Sequence, residues 1–402
     1  MELKKQNWLS DILKNIFSSH YRENFILPWD WSIQNIDFSN YKSAESLKFI
    51  PEKSMFLKDP INYWNFKDKK RELTLVAPEQ TGKTLAWIMP YLWSFVYVQA
   101  LSLVIYTSDE KAEKVNADKI IPLMQRIKRF TDALLRPKSK TKDCYDILGN
   151  KSYFSGAGTP VTSISSQINI ADEVDDWLKH QNQVSNLDEL RKRARSFTQS
   201  LLVKVCTPRG DADGSIIWQE FLKSSMGYWH LGCFNCNGLT MRSADIINLQ
   251  FDVDDLNNPI KDSCRLICPK CKREHSEYES KIMNINGGYI HECPDRFDYH
   301  AGFRWGALAA VGVPDLSWNK IAAAQLNAGK SADYNDQLFF DNSFRGLPYK
   351  KRKGNDSNVK ILEGHIVPLP EPEQVKYSIM ACDTQDDSIY FVVRGFDLDK
   401  LS

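Results

Sequence analysis

No stretch of this 402-residue chain is apolar for long enough to span a bilayer. The N-terminus has neither the apolar core nor the small-residue cleavage site of a secretory signal. These two absences predict a cytoplasmic protein. An excess of one charge is also lacking: 52 Lys and Arg stand against 51 Asp and Glu, a formal net charge of +1. That balance excludes a uniformly basic nucleic-acid binder, so any DNA contact must come from local patches such as Arg191-Lys-Arg-Ala-Arg195 or Lys350-Lys-Arg-Lys353. An isolated patch of this kind reads more readily as a solvated helix face or linker. No internal repeat or low-complexity tract stands out. Without a secretion signal, the nine cysteines read as thiols or metal ligands rather than disulfides. The length calls for about two to three domains.

What is present begins with Leu73-Thr-Leu-Val-Ala-Pro-Glu-Gln-Thr-Gly-Lys-Thr84. A mostly apolar run stops at Pro78, turns, and opens a helix at Gly82-Lys83-Thr84, which is the strand–loop–helix context of a phosphate-binding loop. The turn runs through Ala77, Pro78, Glu79, Gln80, Thr81 and Gly82. Its backbone N–H groups and the positive end of the helix face the same space. Lys83 is placed to reach β- and γ-phosphates and the Thr84 hydroxyl to coordinate Mg²⁺. The pattern departs from G-x4-G-K-[ST] at its first position, where Ala77 replaces glycine. ATP with Mg²⁺ is therefore the expected ligand pair.

From about Ile61, short apolar runs alternate with helical segments: Leu73–Val76, a helix from Lys83 to about Gln99, Leu101–Thr107, and a helix from about Asp109 to Leu135. Strands at Ser163–Ala171 and Leu201–Cys206 follow. This alternation predicts an α/β fold, a doubly wound parallel sheet with ligands at the strand carboxyl ends. The Ser163–Ala171 strand runs into Asp172 and Glu173: the first is expected to hold Mg²⁺ through water, the second to orient or deprotonate the attacking water. This strand is more polar than a buried acid-bearing strand usually is. Thr207, at the end of the Leu201–Cys206 strand in the run Cys206-Thr-Pro-Arg209, is placed to sense the γ-phosphate. The basic helix from Arg191 to Arg195, with Arg193 at its centre, is the expected source of a charge-stabilising arginine.

Two chelating pairs, Cys233-x2-Cys236 and Cys268-x2-Cys271, carry the spacing of a zinc ribbon. Four thiolates leave no open coordination position, so the expected Zn²⁺ is structural. Cys264, His275 and Cys293 lie out of register and are expected to be free thiols or a surface imidazole. Further on, Asp383 ends an apolar strand and begins a hairpin, a placement that fits the first metal-binding acid of an RNase H-like nuclease. Asp386 and Asp387 read as turn-formers.

In this order, the phosphate loop at Ala77–Thr84, Asp172-Glu-Val-Asp175, Thr207-Pro208, the two Cys pairs, Gly302-Phe-Arg-Trp305, Asn342-Ser-Phe-Arg-Gly346 and Ala381-Cys-Asp383 resemble the large terminase subunit of tailed bacteriophages, in particular the lambda-type family. The likeness spans nearly the whole chain. It implies a P-loop NTPase with a zinc-ribbon insertion, working as an ATP-driven motor that moves double-stranded DNA into a capsid. It further implies a homo-oligomeric ring on the portal protein, a small terminase subunit as partner, and a C-terminal endonuclease. The expected layout is an arm (1–60), an ATPase core (61–210), a zinc-ribbon-containing subdomain (211–346), a linker (347–375) and the first strands of the nuclease (376–402). With so little of the nuclease present, cleavage by this chain alone is not expected. Two alternatives stay open: a zinc-ribbon DNA-binding or assembly protein without ATP turnover, and a helicase-like ATPase. The latter needs a second, similar α/β domain that the residues after Gly210 do not suggest.

Overall fold

The computed structural model describes residues 25–37, 50–65, 69–98, 100–135, 144–159, 164–179, 184–256, 258–330, 334–349, 377–384 and 389–396. The first 24 residues of the expected arm and most of the expected linker lie outside these. The chain forms two compact units, Met1–Lys350 and Lys351–Ser402. Among the described residues, no helix is long and apolar enough to cross a membrane.

The first unit is built on a ten-stranded mixed sheet. Its strands are β1 (Lys70–Val76), β2 (Ser102–Tyr106), β3 (Cys144–Ile147), β4 (Asn150–Gly156), β5 (Ile168–Asp172), β6 (Ser200–Cys206), β7 (Gly227–Cys233), β8 (Gly238–Arg242), β12 (Gly288–His291) and β13 (His300–Arg304). They lie in the order β12-β7-β13-β1-β6-β5-β2-β4-β3, with β8 on β7. Neighbours from β7 through β4 run parallel; the edge pairs β12·β7, β7·β8 and β3·β4 are antiparallel. A second, three-stranded sheet joins β9 (Leu249–Gln250), β10 (Arg265–Ile267) and β11 (Glu274–His275). The helices are α1 (Pro28–Asn35), α2 (Lys58–Asn62), α3 (Lys83–Tyr97), α4 (Asp109–Val115), α5 (Ile121–Met124), α6 (Lys128–Leu134), α7 (Val184–Arg193), α8 (Ile216–Lys223), α9 (Ser280–Ile285), α10 (Trp318–Lys330) and α11 (Tyr334–Phe340). In the second unit, β14 (Tyr377–Thr384) and β15 (Ile389–Phe396) form an antiparallel pair with Asp383 opposite Tyr390.

Alternation sets the faces of the central strands. On β1, Leu73 and Leu75 are fully buried in the main aromatic-rich core, beneath α3 with Trp87, Tyr91 and Phe95. Glu72 and Thr74 point to the other face. Four expectations change at this level. The expected strand Ser163–Ala171 starts only at Ile168, because the Ser166 hydroxyl turns back to Asn169 Oδ1 (2.5 Å) while Asn169 Nδ2 donates to the Ser166 carbonyl (3.3 Å). The expected helix Asp109–Leu135 is interrupted by a π turn at Asn116–Ile120 and a break before α6. Pro122, which has no N–H to donate into a continuous ladder, lies between them. A hairpin, β3–β4, occupies a stretch with no expected strand; Leu148 (φ 54°) and Gly149 (φ 80°) both sit in the left-handed region that a tight hairpin turn requires. Finally, the boundary expected at residue 210 does not divide the sheet. β13 lies directly beside β1, pairing Leu75 with Phe303 and Val76 with Arg304.

On the other face of the sheet, charge is buried. Lys204, in the middle of β6, is fully buried and ion-pairs with Glu72 of β1 and, at 2.6 Å, with Glu220 of α8. Arg191 of α7 grips Glu72 with Nε and Nη2, both at 2.9 Å, and reaches Glu220 at 2.5 Å. His300 of β13 places Nε2 at 3.2 Å from Lys204 Nζ and 2.9 Å from the Thr74 hydroxyl. The donor atoms of Glu72, Glu220 and His300 converge as those of a metal site do, but the Lys204 ammonium takes the cation's place among them. Burial pushes both carboxyls up, yet Lys204 and Arg191 outweigh it, holding Glu72 well below the usual range and Glu220 at about 2. Burial first, and the Lys204 charge second, press His300 down to about 3.

A pH dependence follows. His300 is lowered from its ordinary 6.5, so the unfolded chain takes up its proton first as pH falls. The contribution of the neutral imidazole is complete above 6.5 and is lost as pH drops toward 3. Glu220 acts in the same direction between 4.5 and about 2. The thermal midpoint should therefore fall from about pH 7 to about pH 4, and His300→Gln should flatten the upper part of that curve. Identical curves for the two proteins would refute the assignment.

Candidate active site

The phosphate loop follows directly from β1. Gln80 (φ 56°) and Gly82 (φ 88°) adopt left-handed backbone, and α3 begins at Lys83 with Thr84 in its first turn. The Thr81 hydroxyl donates to the Pro78 carbonyl (2.7 Å), tightening the loop on itself. Two distant segments support it from outside. Trp305, one residue past β13, donates its indole N–H to the Thr81 carbonyl and hydroxyl at 3.0 and 3.1 Å. Gly346 (φ 59°) lies against Pro78 and Ala77, where an added Cβ would come within 3.0 Å of Pro78 Cδ. The buried Arg304 guanidinium fixes that glycine's segment, donating to the Arg345 carbonyl (2.9 Å) and the Gly346 carbonyl (3.3 Å). The Gly302–Trp305 and Asn342–Gly346 segments are thus the outer wall of the loop, a role their sequence does not announce.

Lys83 Nζ donates to the Pro78 carbonyl (2.7 Å) and the Thr207 hydroxyl (2.5 Å), and Thr207 Oγ1 donates to the Ala77 carbonyl (2.9 Å). Desolvation at the base of the loop lowers Lys83 to about 8 against the pull of Cys206, Asp172, Glu79 and Glu173. A phosphate entering the loop supplies the anionic partner this ammonium lacks. On β5, Asp172 is buried; its Oδ2 accepts from Trp87 Nε1 (3.2 Å) and its Oδ1 from the Glu173 N–H (3.0 Å). Burial, then the adjacent Glu173 charge, raises Asp172 to about 6. Two neighbouring carboxylates held this way favour a cation between them and the phosphates. Glu173 has φ 56°, a costly conformation for a residue with a side chain, and it is held by its N–H to the Val205 carbonyl (2.8 Å) and by Lys111 of α4 at 3.5 Å.

Register brings these groups together. Val76 pairs with Cys206 and Asp172 with Val205, so β1, β6 and β5 end side by side. The loop and the acid pair stand roughly two strand spacings apart, about 10 Å, with Thr207 between. Arg193 is not among them. Its guanidinium binds Glu189 of its own helix (2.8 Å), and its carbonyl accepts from Ser166, which precedes β5. That places Arg193 at the amino end of the sheet, opposite the phosphate loop. Asp383 belongs to the second unit.

The four cysteines lie on two knuckles, one closing β7–β8 and one between β10 and β11. Each ends in a left-handed residue just after its second cysteine, Asn237 (φ 50°) and Lys272 (φ 60°). All four Sγ atoms lie within 4.8 Å of one another, with Cys233–Cys271 at 3.5 Å and Cys236–Cys268 at 3.8 Å. A tetrahedral Zn²⁺ with bonds near ~2.3 Å needs sulfurs about 3.8 Å apart, so the donor set fits that ion. Backbone N–H groups, that of Arg273 foremost, pull Cys271 down to about 6, while burial raises Cys233 to about 12. His275 is not the surface imidazole its spacing suggests: it is fully buried with Nε2 3.3 Å from Cys233 Sγ, because the β10–β11 pairing turns it inward opposite Leu266.

A mostly parallel sheet with a lysine-bearing loop after one strand and an acid pair at the end of another defines a P-loop NTPase. Residues 43–289 match the family described as phage terminase large subunit gpA, ATPase domain, and the chain belongs to that family. Such proteins are ATP-driven DNA-packaging motors. Among solved structures, the large terminase ATPase domain of Thermus phage P74-26 is similar at 12% identity and a TM-score of 0.36, covering 69% of this chain and 88% of its own. The large terminase of another thermophilic bacteriophage is similar at 17% identity and a TM-score of 0.31, covering 42% of each chain. No curated protein matches.

Proposed function

We propose that this chain hydrolyses ATP at the carboxyl ends of β1, β5 and β6 to drive double-stranded DNA into a capsid. The observation that carries the reading is the convergence of Lys83, Thr207, Asp172 and Glu173 on that one edge. Lys83 and the N–H groups of Glu79 to Thr84 bind the phosphates; the Thr84 hydroxyl, and Asp172 through water, would hold Mg²⁺, which would supply charge stabilisation to the phosphates. Glu173 accepts a proton from water as the water oxygen bonds to the γ-phosphorus. The bridging P–O bond breaks, and ADP leaves with the electron pair. Thr207, bonded to Lys83, passes the change in phosphate occupancy to β6. Zn²⁺ on the four cysteines is structural. The working assembly is a homo-oligomeric ring on the portal protein with a small terminase subunit, and Asp383 is the first metal-binding acid of a C-terminal nuclease.

The test is ATP turnover with and without double-stranded DNA. DNA should stimulate it, and Lys83→Ala and Glu173→Gln should each lower it by about 100-fold or more. Nucleotide binding should survive in Glu173→Gln and fail in Lys83→Ala. Undiminished turnover in either variant would sink the mechanism. Loss of binding and turnover in the unmodified chain would favour a zinc-ribbon assembly protein instead.

A further inference from the structure

One more cation touches the phosphate loop. Arg209 lies two residues past Thr207, a distance of at most about 7 Å along the chain. Its Nη2 donates to Glu79 Oε1 within the loop (2.8 Å), and its Nε lies 3.4 Å from Asp176 Oδ1. The main chain beneath that side chain is fixed: the Arg209 N–H donates to Asp175 Oδ2 (2.8 Å). Asp175 is buried and also accepts from the Ser215 hydroxyl (2.6 Å) and the Ile217 N–H (2.8 Å) at the start of α8. The Arg209 side chain is 43% exposed and faces two acids whose side chains are 52% and 30% exposed.

We propose that Arg209 is the arginine of this ATPase that binds the γ-phosphate of a nucleoside triphosphate within its own chain, with Glu79 and Asp176 holding it aside until the nucleotide arrives. The proposal rests on the ATPase reading given above. Three observations support it. A guanidinium offers a planar fork that matches phosphate oxygens, which the point charge of Lys83 does not. The ion pairs it must leave are solvent-exposed, and pairs of that kind hold weakly, so exchange for a charge-assisted bond to phosphate is favourable. Its backbone is anchored through Asp175 to the same turn that carries Asp172 and Glu173, so the fork swings from a fixed base beside the acid pair. Arg193, the arginine its sequence context favours, stands at the opposite end of the sheet.

The experiment compares affinities for ADP and for the transition-state mimic ADP–aluminium fluoride, both with Mg²⁺, and needs no turnover. The unmodified chain should prefer the mimic strongly. Arg209→Ala should keep its ADP affinity within about twofold and lose about 30-fold or more of that preference, and Arg209→Lys should recover only part of it. Asp176→Asn, which frees one side of the guanidinium without touching the phosphate loop, should retain the preference. An unchanged preference in Arg209→Ala overturns the proposal, as does an equal loss for both ligands, which would mark a structural role. So does the absence of any preference in the unmodified chain. Lys83→Ala separates the two claims: if it binds ADP as well as the unmodified chain does, the ATPase reading has failed, not merely the assignment of Arg209.

Discussion

Stripping the Zn²⁺ proposed for Cys233, Cys236, Cys268 and Cys271 is expected to unfold the ribbon while leaving the nucleotide site in place. The three-stranded sheet β9–β10–β11 has two paired residues at each interface, too few to stand alone in water. Its interior is small, with Leu249, Leu266, Cys264, His275 and the cysteines themselves, and Phe234 packed on His275. Apparent binding free energies of structural zinc are about 10–16 kcal/mol, several times what so small a core supplies. Its neighbours differ. β7 continues from Cys233 into the main sheet, paired with β12, β13 and β8, and α9 packs against it. Purified protein should carry one zinc per chain. Chelation should remove amide protection and open a protease site between residues 249 and 275, and ADP binding should persist. Protein that is metal-free as purified yet protected through the ribbon would defeat the prediction.

What could be read from the sequence divides by range. The phosphate loop, the acid pair, Thr207 and both Cys pairs are short motifs whose chemistry depends on residues a few positions apart, and the structure finds each at a strand end or knuckle. The central strands were legible too, because a strand buried on both faces is a continuous apolar run. What failed to show needed distant partners or unusual turns. β13 is five residues long, and nothing in His300-Ala-Gly-Phe-Arg304 says that it lies beside β1. The β3–β4 hairpin turns on Leu148-Gly149, which lacks the Asn-Gly signal. Inside the site the same rule holds. Trp305 and Gly346 support the loop across more than 220 residues of chain separation, and Arg209 is one residue past a recognised motif with no local mark of its ion pair to Glu79. His275 could have been noticed: a histidine four residues beyond a Cys-x2-Cys pair, on a two-residue strand, has a short path inward to the cysteines.

Lys204 is the plainest case of a residue whose role only the fold reveals, and its replacement should have a large effect. In Leu201-Leu-Val-Lys-Val-Cys206 it interrupts an otherwise apolar strand, and nothing in the sequence names its partners. In the structure it is fully buried and neutralises Glu72 and Glu220 together, with Arg191 closing the other side. Lys204→Met nearly preserves the volume and removes the charge. Glu72 and Glu220 are then left with Arg191 between them and, for Glu220, the Lys223 ammonium at 2.8 Å. Breaking a buried ion pair on one side costs about 3–5 kcal/mol, enough to bring a domain of ordinary stability close to unfolding. Changing the acids as well, in Lys204→Met with Glu72→Gln and Glu220→Gln, should recover most of the loss, because the two carboxylates left without Lys204 are then neutral and Arg191 keeps Asp188 at 2.9 Å. Denaturant midpoints of the single and triple variants check this directly; a single variant within about 1 kcal/mol of the unmodified chain would mean that water, not Lys204, screens the carboxylates. The same strand ends just before Thr207, so the variant also tests function. If the buried charges only hold β1, β6, β13, α7 and α8 together, the triple variant should regain turnover along with stability. If turnover stays low while stability returns, Lys204 also sets the position of Thr207 against Lys83, and the charged layer beneath the sheet is part of the route from phosphate to movement.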